Sequence, residues 1–177
     1  MKLKTTYGQN IGILSMMIVA LIVAFAAVLG FGSPATAAPD ATIVLPAGTA
    51  CADFDLQVDI WGGTQVYKEF VDKNGNVVRK LSAGKGSRLL FTNLSTDATF
   101  LVKPNGSVTH TTYNLDGSQT CSATGHNVLI LFPSDVPAGP STTAYVGRVV
   151  YTVGTDGVFT LQEVSGRSTD ICAALSQ

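Results

Sequence analysis

Three cysteines, two histidines and one tryptophan carry most of the chemical potential of this 177-residue sequence. Cys51 lies in "ACADFDL", Cys121 in "SQTCSAT" and Cys172 in "STDICAAL", with five residues after it. In an oxidising compartment three thiols allow three single bridges, with one thiol left over. Gln119, Cys121 and Ala123 share one face of an extended segment, and the hydroxylated Ser118, Thr120, Ser122 and Thr124 share the other. The hydroxylated face is the wet one, so Cys121 should point inward as a small buried hydrophobe. Cys51 and Cys172 lie outside the strand set at its two ends, and domain termini commonly sit close together. The expected bridge is therefore Cys51–Cys172. The alternative, Cys51–Cys121, would be immunoglobulin-like, with Cys51, Trp61 and Cys121 in the right order. Against it, Gln119 stands where a tyrosine corner needs Tyr, and Cys51 precedes its strand.

The other constellations point away from catalysis. His110, His126 and Cys121 lack a fourth ligand and the tight repeated spacing of a metal set. "DKNGN" begins like a calcium loop, yet Val77 and Ala83 occupy the positions where Gly and Glu are required. No G-x-S-x-G elbow or phosphate loop is present, and the acidic residues are scattered. The expectation is a non-enzymatic protein without metal or cofactor, a hydrolase being the distant third reading. Trp61, followed by Gly62 and Gly63, has two readings. Its flat ring could be a sugar-stacking platform, or it could plug the rim of the core at the end of its strand.

These residues must be positioned by strands. "FDLQVDI" puts Phe54, Leu56, Val58 and Ile60 on one face and Asp55, Gln57 and Asp59 on the other, the alternation of a half-buried strand. "TQVYKEFV" and "NVVRKLS" flank a turn at "DKNG". "SRLLFTN" and "TFLVK" are separated by "LSTDA". "KPNGS" and "LDGS" read as hairpin turns, and "GTDG" joins the last two strands. About nine strands at a spacing of roughly ten residues indicate an all-β antiparallel sandwich or small barrel. "STDICAAL" reads as a short C-terminal helix capped by Ser168 or Thr169, with Ile171 and Leu175 on one face. "VLILF" (Val128 to Phe132) is apolar on both faces. It is either a central strand whose outer face is covered by a loop or the terminal helix, or a surface for a partner.

The N-terminus sets the compartment. Lys2 and Lys4 precede an apolar run from Ile11 to Phe31, and Ala35-Thr36-Ala37 supplies an A-x-A site. This is a secretory signal, with cleavage expected between Ala37 and Ala38. An uncleaved helical anchor is the alternative, because about 20 apolar residues can span a bilayer. Residues 1–37 are thus the signal and 38–177 a single domain. Without Lys2 and Lys4 the eleven basic residues fall to nine against twelve acidic, so the net charge is near −3. With no runs of charge, nucleic-acid binding is not expected, and membrane contact would come only through an uncleaved N-terminal segment.

The opening "ACADFDL" with the ending "SGRSTDICAAL" resembles a family of small exported actinobacterial proteins of unknown function. Members open with a Cys before an alternating F-D-x-x-V strand and end in G-R-x-x-D-[IVL]-C-A-x-L. Here these features are Cys51 to Val58 and Gly166 to Leu175. The resemblance also takes in the N-x-[ST] turn at Asn93 to Ser95 and the "DGS" at Asp116 to Ser118, but not Cys121. It implies a secreted β-sandwich and transfers no activity, substrate or catalytic residue. In such a bacterial chain the sequons at Asn93 and Asn105 are chance matches. The expected protein is an extracytoplasmic, cell-surface module that is structural or binds an unidentified partner. A carbohydrate-binding module using Trp61 is the runner-up.

Overall fold

The computed structural model describes residues 37–177; the apolar run expected to form a signal or anchor helix lies outside them. Two antiparallel sheets and one short helix make up the described chain. The four-stranded sheet runs in the order β1 (Ala41–Leu45), β2 (Leu56–Trp61), β5 (Arg88–Asn93), β6 (Thr99–Val102). In the six-stranded sheet β10 (Phe159–Asp170) is followed by β9 (Ser141–Val153), β8 (Gln119–Leu131), β7 (Gly106–Tyr113), β4 (Val77–Lys85) and β3 (Thr64–Val71). Helix α1 (Ile171–Leu175) ends the fold.

The alternation of β2 is realised: Leu56 and Val58 are buried and Gln57 and Asp59 are half-buried on the other face. With Phe54, Phe91, Ile171 and Leu175 they form a core to which Val128, Ile130 and Ala144 of the six-stranded sheet also pack. Both sheets and the helix therefore share one interior. Its closed end is held by the Cys51–Cys172 disulfide, whose Cα atoms are 5.6 Å apart. Two buried polar side chains reinforce that end. Asn93 Nδ2 donates to the Leu175 carbonyl at 3.1 Å, and Thr142 Oγ1 donates to the Ala50 carbonyl at 3.0 Å. Asn93 is 3% exposed, so this sequon is spent on capping the C-terminus of the helix.

Several expectations need correction. There are ten strands among the described residues, because "ATIVL" pairs with β2 as an exposed edge. "SQTCSAT" and "NVLIL" are one 13-residue strand, β8, whose ladder continues through Gly125. "KPNGS" is not a hairpin turn, since β6 belongs to one sheet and β7 to the other. Ser168 and Thr169 do not cap the helix: they still pair with Tyr145 and Ala144 in β10. Asp170 is the cap, accepting the Ala173 N–H at 3.0 Å.

The long strands are bent in half. Leu131 pairs with Ser141 at one end of β9, and Phe159 pairs with Val153 at the other. Thirteen residues of straight strand would separate those ends by about 40 Å. Yet one carboxylate, Asp135, accepts the Phe132 N–H at 2.6 Å and the Phe159 N–H at 2.9 Å. The hinge is a row of glycines in register, Gly125, Gly147 and Gly166, with φ of 93°, 149° and 101°. These left-handed values favour glycine, and a Cβ at any of the three would run into a carbonyl of the neighbouring strand. Cys121, Ala123, Leu131, Tyr145 and Val149 are buried on the strand face opposite Val128 and Ile130, inside this bend. The expectation that Cys121 turns inward holds, and Cys121 is the free thiol. Burial, and then the adjacent Cys121, push the Tyr151 phenol up to about 12, so it stays neutral.

Asp135 is itself only 4% exposed. Asp135→Ala removes the acceptor of two part-buried amides, each worth about 1–3 kcal/mol when left unsatisfied. The expected loss is about 2–4 kcal/mol in urea unfolding, with Asp135→Asn losing less because one oxygen still accepts. Equal losses in the two variants would show that the carboxylate does not hold the two ends together.

Candidate binding cleft

The end of the core opposite the disulfide is open. Three chain segments cross between the sheets there: Gly62–Gly63 after β2, Gly86–Ser87 after β4, and 103–105 after β6. They are tied to one another, Ser87 Oγ donating to the Gly62 carbonyl and Gly86 N–H donating to the Asn105 carbonyl at 2.9 Å. Gly62 and Gly63 have φ of 56° and 125°, and a Cβ on Gly63 would lie 2.8 Å from Ser87 Oγ. The glycines are needed because two residues must carry the chain from one sheet to the other.

Between these crossovers and the glycine hinge lies a cleft of about 340 Å³, within the range of about 300–1,000 Å³ of ligand pockets. Ile60, Leu89 and Val102 form one wall from the four-stranded sheet. Val128, Ala144 and Val146 form the other, from β8 and β9 next to the bend. Ser87, Lys103, Asn105 and His126 stand among the polar residues of its lining. No carboxylate is among the described lining residues. Neither Lys103 nor His126 has an acidic partner among the described residues, where the ion pair is Arg148–Glu163.

Trp61 closes β2 beside the wall residue Ile60 and is half-buried. Its register partner is Arg88, whose guanidinium carbon sits 4.5 Å from the ring centroid. That contact is a cation–π pair. Trp61 shares the outer face of β2 with Gln57 and Asp59, as the alternation implies. The Asp59 carboxylate accepts from Thr42 Oγ1 at 2.6 Å and from Gln57 Nε2 at 2.9 Å. Asp40 Oδ2 accepts the Gly62 N–H at 2.6 Å, fixing the turn behind the tryptophan.

Cys51 and Cys172 are at the closed end, away from the cleft's lining, whereas Trp61 adjoins it. His126 lines the cleft but His110 does not, and among the described residues no three metal-ligating side chains converge. Lys103 and Asn105 were missed as site residues because "KPNGS" read as a turn, and Ser87 because "SRLLFTN" read as a strand. The usable signal was three glycine-bearing segments, "WGG", "GKGS" and "KPNG", each directly after a strand. In "VLILF", Val128 and Ile130 face the core and Leu131 on the opposite side is 5% exposed, but the stretch pairs only with β9, because the ladder to β7 ends at Gly125, so it is not a central strand.

The Cys51–Cys172 bridge is compatible with an extracytoplasmic location. Among the described residues no helix is long and apolar enough to cross a membrane. No protein-family model, curated protein or solved structure matches the chain.

Proposed function

We propose that this chain is an exported, non-enzymatic β-sandwich module of the cell surface that binds its partner at the open end of its core. The observation that carries the reading is the asymmetry of the two ends. One is sealed by a disulfide, a helix and two buried polar contacts, while the other keeps an apolar-walled cleft with a polar rim. Apolar walls left open to water cost free energy of burial that the chain's own side chains could have supplied. A bound partner recovers it.

Trp61 is the only tryptophan and is the neighbour in β2 of the wall residue Ile60, so its emission reports changes next to the cleft. Soluble extract of the parent cell envelope should shift that emission, and Ala144→Leu, which fills the cleft from its β9 wall, should abolish the response. An unchanged response in Ala144→Leu would remove the cleft from the mechanism. A second reading, carbohydrate binding by Trp61 itself, is favoured by the carboxylate, amide and hydroxyl groups on the same face. In that case cell-wall glycans would quench Trp61 equally in the native protein and in Ala144→Leu.

A further inference from the structure

We infer that the cleft takes an anionic amphiphile, an apolar chain ending in a single carboxylate. This rests on the cleft being the binding site and adds the class of its ligand. The walls are apolar on both sides, so the body of the ligand must be apolar to gain from entering. The basic residues of the lining are Lys103 and His126, with no Asp or Glu opposing them among the described lining residues. A cationic head would meet Lys103 with nothing to compensate it. A neutral head would gain nothing from the Lys103 charge. A carboxylate pairs with Lys103 and can also accept from the Asn105 amide, which stands in the same lining. The volume suits a chain of moderate length rather than a membrane-spanning lipid.

The test uses the 38–177 protein with dodecanoate, dodecanol and dodecyltrimethylammonium at sub-micellar concentration, read by calorimetry and by Trp61 emission. Dodecanoate should bind at least tenfold more tightly than dodecanol, and the cation should not bind. Lys103→Ala, at an exposed position, should weaken dodecanoate about tenfold and leave dodecanol unchanged. Ala144→Leu should block both, and Val146→Phe serves as a second blocking variant should the first disturb folding. If dodecanol binds as well as dodecanoate and Lys103→Ala has no effect, the carboxylate class is overturned while the cleft reading stands. If no probe binds but envelope extract still shifts Trp61 in a cleft-dependent way, the class is likewise overturned. If neither the probes nor the extract responds to the blocking variants, both readings fall.

Discussion

Replacing both Cys51 and Cys172 by alanine should lower the stability of the domain by about 4–5 kcal/mol without changing its fold. The bridge joins residues 121 apart in sequence. Closing a loop of that length removes chain entropy from the unfolded state worth roughly 5 kcal/mol, an upper figure that a compact unfolded state reduces. The folded state loses little, because its closed end is also held without the bridge. Ile171 and Leu175 are 0% and 1% exposed in the core, and Asn93 and Thr142 bond the backbone on either side. For a domain of this size such a loss corresponds to a fall in Tm of about 10–15 °C. Circular dichroism should therefore show a native spectrum at 20 °C and an early melt. Non-reducing peptide mapping of the native protein should find Cys51 joined to Cys172, with Cys121 modified only after denaturation. A Tm within 3 °C of the native value would show that the bridge does not constrain the chain. A Cys51–Cys121 peptide would show that the wrong pair has been assigned.

That pairing was legible in the sequence because it depends on little more than compartment and position. An exported chain oxidises its thiols, and the two cysteines outside the strand set are the two near its ends. The inward face of β2 was legible for a similar reason: a sheet with one buried side writes its period of two into the chain, as Leu56 and Val58 show. Strand β1 was not. Ile43 and Val44 are 48% and 50% exposed, so "ATIVL" carries no alternation to read and holds its place by backbone pairing with β2. Strand β8 was under-read in the other direction: "NVLILF" reads as a strand apart from "SQTCSAT", yet the ladder from Gln119 to Leu131 keeps its register through Gly125. The cleft was illegible for a deeper reason. Its walls come from five strands in two sheets, and only the pairing order puts Val102 across from Val146. Trp61 was visible as a residue but its environment was not, because Arg88 reaches it only through the β2–β5 register.

The glycine hinge offers the sharpest test of the bent architecture. Gly147 sits at φ 149° between Gly125 and Gly166, and a Cβ there would be driven into the Ser165 carbonyl and to 3.0 Å from Gly166 Cα. Backbone atoms of a paired strand cannot rotate aside as a side chain can. Gly147→Ala must therefore either flatten the bend or tear the β9–β10 ladder. Either outcome separates Phe132 from Phe159 and breaks the Asp135 bridge between them. A left-handed backbone forced on a β-carbon costs about 1–3 kcal/mol, and the clash adds to it, so a loss of at least about 4 kcal/mol is expected. That is a large share of the roughly 5–15 kcal/mol that holds a domain together. Gly157→Ala is the control. It too has a positive φ, 83°, but lies in the β9–β10 turn with nothing within 4 Å of the added carbon. Its loss should stay near 1 kcal/mol. Because Val146 and His126 adjoin the hinge residues and line the cleft, Gly147→Ala should also lose the Trp61 response at temperatures where Gly157→Ala keeps it. Equal stability losses in the two variants would mean that the strands pass the hinge with room to spare. The bend would then not be what shapes the open end.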